Sequence, residues 1–331
     1  MRQVTTYLLI LLGSIHLYSD ENYQLGEGVH VASLPFYLGG YFSIDYQHKE
    51  DFNRYRIDDL ALLGYGNYQK LSYMVELEYK ALYVHTDDNH NSTTEWNPTL
   101  HIERLYGDYS LNDNLYIRIG KYNSPIGFWN LTPINVLRET TSNPITSSII
   151  FPKFTTGIAL NYQSFRSHTM HAELLIQHNA DLDDEYNNYQ VDRHYGLSIG
   201  YEYGDIALKL NTGYFHLNHT IEHNQRYYGL ISTQIDKERY QILSEIGTQT
   251  DNKGTTTPYA LYLQGLYRWS ESHISIVRFE SYRDKIHNQK EQIAVIGYTY
   301  RPYYPIALKA EYQLHSDHQN NQVLLSLSVL F

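Results

Sequence analysis

The chain has 331 residues, no cysteine, and 25 Lys and Arg against 36 Asp and Glu, for a formal net charge of −11. That excludes a disulfide framework, zinc fingers and thiol chemistry. It also argues against nucleic acid as a partner, because binding a phosphate backbone needs a basic surface. The 35 tyrosines are the unusual figure: a ring with an apolar body and a polar tip suits a strand surface that meets both lipid and water. A tyrosine-rich soluble β protein is the alternative that composition leaves open.

Residues 1–19 read as a secretory signal peptide. Arg2 precedes the apolar run Tyr7 to Gly13, and the small Ser19 stands before the acidic start Asp20-Glu21, the order of an export signal. The run is too short to span a bilayer as a helix, and nothing later approaches about 18 consecutive apolar residues.

From Tyr37 onward, segments of about ten residues alternate with period two. The strands predicted in chain order are 37–47, 54–66, 70–84, 99–110, 114–122, 154–164, 168–178, 193–203, 205–217, 225–235, 239–249, 258–269, 273–283, 290–301, 305–315 and 322–331, sixteen in all. The third shows the pattern most clearly. Leu71, Tyr73, Val75, Leu77, Tyr79, Ala81 and Tyr83 share one face, while Ser72, Glu76, Glu78 and Lys80 share the other. Connections alternate in character. GNYQ, LND, SFR, Gly204, DKE, WSES and RPYY are short; HTDDNHNSTTEWNP, the stretch after Tyr122, HNADLDDEYNNYQVD and TQTDNKGTTT are long and polar. Extended strands cross hydrocarbon only as a closed barrel, because every backbone amide must find its partner inside the sheet. Residues 20–331 therefore read as one all-β domain, a transmembrane antiparallel up-and-down β-barrel of 16 strands. A polar mean hydropathy of −0.49 suits a wet lumen.

The connection after the fifth strand, YNSPIGFWNLTPINVLRETTSNPITSSIIFPKF, is rich in Pro, Asn, Thr and bulky apolar residues. A long loop of that character needs somewhere to pack. It is expected to fold into the lumen as a constriction loop, burying Phe128, Trp129, Ile134 and Ile149, with a lid over the mouth as the alternative. Lumen faces carry charges of both signs: Arg104, Arg118, Lys209, Arg268, Arg278, Arg301 and Lys309 with Glu76, Glu78, Glu173, Glu202, Glu245, Glu280 and Glu311. In VRFES and LKAEY opposite charges stand two apart, on one face, where they can neutralise each other. Faces are ambiguous in two strands, where Ile102 and Leu105, and Leu230 and Ile231, have opposite parity.

The 17 histidines, among them His85, His90, His178, His219, His223, His287 and His315, show no catalytic spacing, and no GxSxG or HExxH motif occurs. No catalytic residue, metal or cofactor is therefore assigned. The acidic runs Asp87-Asp88 and Asp181-Asp183-Asp184-Glu185 are either solvated or hold cations that bridge lipopolysaccharide phosphates. In the closing strand Val323, Leu325, Leu327, Val329 and Phe331 share an apolar face, with Gln322, Ser326 and Ser328 opposite.

Three sets of residues resemble the phosphate-selective porin O and P family and related proteobacterial outer-membrane porins. They are YRIDDLALLGYGNYQKLSYMVELEY, NLYIRIGKYNSPIGF, and the late strands ISIVRFESY, AVIGYTYRP and IALKAEYQ. The resemblance implies sixteen-stranded, usually trimeric barrels that pass small solutes down a gradient, with inward loops and basic residues guiding anions. Its strand-to-loop motif falls on Arg118, Gly120, Lys121, Pro125 and Gly127, and its late strand motifs on Arg278, Glu280, Arg301, Lys309 and Glu311. Where members commonly carry basic residues, this chain has Asp58 and Asp59. The terminal aromatic Phe331 resembles the signal that hands barrels to the outer-membrane assembly machinery. The expectation is thus a diffusion channel of the bacterial outer membrane for small hydrophilic solutes and ions, with weak anion preference. Arg118, Lys121, Arg138 and Lys153 would bias charge there, and Gly120, Pro125, Gly127 and Trp129 would shape the loop. Its partners would be lipid and lipopolysaccharide, the solutes, the assembly machinery and two further copies of the chain. The alternatives are a barrel enzyme, lipase or protease, and a structural or adhesive barrel without an open pore.

Overall fold

The alternation of apolar and polar residues resolves into long antiparallel strands in a computed structural model that describes residues 23–31, 35–88, 91–165, 168–218, 220 and 222–331. Residues 1–19, predicted as a signal peptide, and His90 and His219 lie outside the described residues. A small hairpin, β1 (Tyr23–Gln24) and β2 (Gly28–His30), precedes β3 (Phe36–Lys49), β4 (Phe52–Tyr68) and β5 (Leu71–Asp88). Then come β6 (Ser92–Trp96), β7 (His101–Asn112), β8 (Leu115–Asn123), β9 (Phe154–Phe165), β10 (Thr169–Gln177), β11 (Val191–Tyr203) and β12 (Ile206–Leu217). The series ends with β13 (Gln225–Asp236), β14 (Tyr240–Asp251), β15 (Gly254–Ser270), β16 (His273–Asp284), β17 (Gln289–Tyr303), β18 (Ile306–His315) and β19 (Gln322–Leu330).

The closing strand β19 pairs with β3 from Gln322 opposite Lys49 to Leu330 opposite Tyr41. Together with the neighbour-to-neighbour pairing of all the others, this makes a closed antiparallel barrel of 16 strands. The remaining three strands are additions: β6 folds back on the outer end of β5, and β2 pairs with β3 through Val29 opposite Leu38, just beyond the end of β19. Closure leaves no barrel strand with an open edge, which is what an exterior suited to a bilayer requires.

The exterior is apolar. Ile119, Val277 and Leu325 are 58 %, 61 % and 43 % exposed on it. Tyrosines and tryptophans stand out at both ends, Tyr68, Tyr203, Trp269 and Tyr303 by the short turns and Tyr55, Trp96 and Tyr227 toward the long loops, the aromatic girdles of a membrane barrel. In β19, Leu324, Ser326, Ser328 and Leu330 turn inward, as the parity predicted.

Strict alternation fails at three bulges that lie side by side. In β4 the register slips so that Asp58 and Asp59 together oppose Ser43, and both reach the lumen. Beside it, Ala81 of β5 adopts φ +49 and lines the lumen, not the outer face on which period two placed it. In β7 a slip opposite Glu76 and Leu77 lets Glu103 and Arg104 both turn inward. An extra residue re-aims the side chains that follow it, which explains why Ile102 and Leu105 seemed to conflict. The other ambiguous pair has a different cause. Ile231 is 55 % exposed outside and Leu230 is buried inside, because the lumen there is dry.

Two long connections differ from expectation. TQTDNKGTTT is no loop: β14 and β15 run through it to a turn at Asn252-Lys253. HTDDNHNSTTEWNP is largely the hairpin of β5 and β6. The connection between β8 and β9, residues 124–153, does fold inward. Ile126, Ile150 and Phe151 pack with Phe215, Tyr228 and Leu230 of the opposite wall into an apolar cluster. Trp129 and Ile134 are buried, with Phe128 and Ile149 packed at the edges of such clusters. The lid alternative falls, since these side chains need the wall to bury them.

Candidate pore and its lining

The inward connection is held along its length by wall side chains. At its start Gly127 donates to Asn211 Oδ1 at 3.0 Å, and the amides of Phe128 and Trp129 donate to Glu245 Oε1 at 2.6 and 3.2 Å. Gly127 has φ +71, and a Cβ on it would lie 2.6 Å from that carboxylate, so the close approach needs glycine. Asn211 also donates to the Pro125 carbonyl at 3.0 Å. Trp129 meets Tyr262 edge-on at 6.4 Å and stands between the guanidinium groups of Arg138 and Arg278, at 5.8 and 5.7 Å. Gly120, φ +129, crosses so close to Leu105 that a Cβ would lie 2.1 Å from its carbonyl oxygen.

The late-strand charges serve the same purpose. Arg278 and Glu280 form an ion pair at 2.8 Å, as their spacing predicted. Arg278 also donates to Ser142 Oγ at 2.6 Å, and Glu280 accepts the Ile145 amide at 2.7 Å. Lys309 and Glu311 do not pair with each other. Lys309 Nζ donates to Asn135 Oδ1 at 2.8 Å, while Glu311 accepts the amide of Thr141, and Ser142 Oγ at 2.6 Å. Arg301 donates to the Val136 carbonyl at 2.7 Å and pairs with Glu139 at 3.1 Å. All five residues face inward, but they lie under the loop and none lines the open space.

Two further predicted cations are also engaged. Arg118 forms two bonds to Asp108, at 2.7 and 2.8 Å, and lies over the Tyr106 ring at 4.3 Å, away from the cavity. Lys121 is fully buried and donates to the carbonyls of Leu182 and Asp183 at 2.6 and 2.8 Å. Those carbonyls belong to a second inward connection, 178–190, two of whose acids, Asp181 and Asp183, are internal ties, while Glu185 is exposed and lines the cavity. Asp183 accepts the Ile102 amide at 2.7 Å and pairs with His101 at 3.2 Å. Asp181 accepts from Thr156 and from Asn187, the latter at 2.8 Å. The solvated or cation-bridging reading of this run is therefore corrected for Asp181 and Asp183. Nothing in its composition separates an acid bonded to an amide from one in water.

What the two connections leave open is a cavity of about 800 Å³ against the wall of β3, β4, β5 and β7. Its wall side carries Asp45, Asp58, Asp59, Glu78 and Glu103 with Arg54, Arg56 and Lys80. Its loop side carries Arg138, Lys153 and the amides of Asn130, Asn143, Asn187 and Asn188. Of the four cations expected to bias charge, Arg138 and Lys153 line it. The wall carboxylates were legible as lumen-facing only in part, because the bulges that add Asp59 and Glu103 leave no mark in the hydrophobic pattern.

The histidines are dispersed. His194 is buried between Thr155 and Tyr228, each at 3.0 Å. His216, His287 and His315 pair with Asp192, Asp284 and Glu291 at 2.6, 2.7 and 2.8 Å. Among the described residues no group of three or more His, Asp or Glu is arranged to hold a metal ion.

No family model matches the chain, and no curated protein does. Solved structures do match. The outer membrane channel DcaP of Acinetobacter baumannii aligns at 14 % identity over 93 % of this chain and 100 % of that one, with a TM-score of 0.61. OmpF of Salmonella typhi, in complex with daunomycin, aligns at 9 % identity over 89 % and 97 %, TM-score 0.62. The anion-selective porin from Comamonas acidovorans aligns at 12 % identity over 89 % and 99 %, TM-score 0.59. At such identities the likeness is one of fold, and the fold this chain has is that of outer-membrane channels and porins.

Proposed function

We propose that the protein is a passive diffusion channel of the bacterial outer membrane for small hydrophilic solutes and ions, exported by residues 1–19 and working as a homotrimer. One observation carries this reading: a closed barrel, narrowed by a loop tied in place, keeps a polar cavity of about 800 Å³ beside that loop. Sixteen strands enclose more space than side chains fill, and here the surplus is divided between a packed loop and a charged passage. A structural barrel has no use for a polar cavity with charges of both signs on its walls. A lipase or protease needs a nucleophile activated by a base, and of the imidazole and serine hydroxyls on the cavity wall His101 is paired with Asp183 while Ser142 and Ser147 donate to Glu311 and to the Pro144 carbonyl.

The loop sets the size limit and the lining sets the preference for charge. Proteoliposomes placed in isotonic sugars of graded size test the filter. Swelling is expected to fall with solute size, and to extend to larger sugars when the loop ties are cut. Swelling no faster than that of empty liposomes, for every sugar, would refute the channel.

A further inference from the structure

The wall cluster around Glu78 is short of hydrogen-bond donors. Glu76, Glu78 and Glu103 are each at most 5 % exposed. Tyr41 offers one hydroxyl proton to two acceptors, Glu76 Oε1 at 2.8 Å and Glu103 Oε2 at 3.1 Å. Tyr186 does the same between Glu78 Oε2 and Glu103 Oε2, the latter at 3.1 Å. A phenol donates once, so two of these four contacts draw no proton from a phenol and need one from a carboxyl group or from a bound cation. Arg104 pairs with Glu76. Glu78 Oε1 and Asp45 Oδ1 have no hydrogen-bond partner at all, although both residues line the cavity and are 1 % and 4 % exposed.

Neighbouring cations do not close the gap. Arg56 is taken by Asp58 at 3.3 Å and reaches the other oxygen of Asp45 only at 3.7 Å. Lys80 stands over the Tyr186 ring at 4.9 Å. Of the basic residues expected to favour anions, Arg118 is occupied by Asp108, Lys121 by carbonyls, and Arg278, Arg301 and Lys309 by the loop, which leaves Arg138 and Lys153 on the loop side of the cavity. Among the described residues no three of these carboxyls are arranged to hold a metal ion, so the wall suits a broad cation with several N–H donors better.

We infer that this wall is a docking site for solutes bearing an ammonium or guanidinium group, seated on Glu78, Glu103 and Asp45 beside Tyr41 and Tyr186, and that the pore favours cations. The inference rests on the channel reading above and reverses the anion preference that the family resemblance implied. A guanidinium in the cavity faces these carboxyl groups, and a turn of the Glu78 or Asp45 side chain toward it fills acceptors that otherwise have no donor.

The full-length protein in planar bilayers under a potassium chloride gradient tests it. A reversal potential of the sign set by potassium is expected, together with block of the current by Nα-acetylarginine amide and not by the uncharged Nα-acetylcitrulline amide. Substituting Glu78→Gln with Glu103→Gln should move the reversal potential toward chloride and weaken the acetylarginine amide block by about tenfold or more. Glu271→Gln, in the turn between β15 and β16, should change neither. The amide comparison on the unaltered protein needs no variant to fold. Ohmic current with a chloride reversal potential, equal block by the two amides, or block unchanged in the double variant would each overturn the site while leaving the channel standing. The absence of any current would overturn both.

Discussion

Lys153, a half-buried residue, stands at the loop side of the cavity and, among the described residues, has no ion pair. Burial, aided by repulsion from Lys80 and Arg138, pushes its pKa down to about 8. The group is a cation below that value and neutral above it. Raising the pH from 7 to 9 therefore removes positive charge from the lining, and cation preference should rise across that window. Reversal potentials at the two pH values check this. Lys153→Met should show the higher preference at both and a smaller change between them, and a shift of the unaltered pore toward anions on raising the pH would contradict the assignment.

At the scale of elements, the inward connection is the part whose place was legible and whose fastening was not. Its Pro, Asn and bulky apolar residues announced a loop that packs, and Trp129 and Ile134 are buried. The ties were read as pore charges because a lumen-facing Arg278 or Lys309 looks the same in sequence whether it meets water or a loop carbonyl. Strand faces followed period two wherever the ladder is regular, as in β19. They failed at Asp58-Asp59, Ala81 and Glu103-Arg104, where an added residue alters direction without altering hydrophobicity. The β14–β15 turn was missed because Thr250, Thr255, Thr256 and Thr257 continue the strands beyond the bilayer, which leaves only Asn252-Lys253 to turn. The fastening has a measurable consequence. Arg278→Ala with Glu311→Ala strips two buried sets of bonds, and breaking a buried ion pair alone costs about 3–5 kcal/mol. Single-channel currents of that variant should be larger and noisier than those of the unaltered protein, with the barrel still heat-modifiable on gels. Unchanged amplitude and noise would mean that the loop does not need these ties.

For the whole molecule, closure is the event that makes a barrel, and the seam between β19 and β3 is where chain ends meet. Phe331 both donates to and accepts from Gly40 at 2.7 Å. Its ring lies over Gly40 on the outer face, beside Phe42 at 6.4 Å, in keeping with an aromatic offered to assembly machinery before the seam closes. Deleting Phe331 is expected to lower the amount of barrel reaching the outer membrane, scored by fractionation, more than the conductance of those barrels that do insert. Normal insertion would count against that use. Lipopolysaccharide and further copies of the chain would meet the apolar exterior that Val277, Ile119 and Leu325 present. The central claim, that a tied loop leaves an open passage through a closed barrel, is tested most directly by single-channel recording of the purified, folded protein. Stepwise insertions with currents linear in voltage are predicted, and a folded barrel that inserts without conducting would contradict the account.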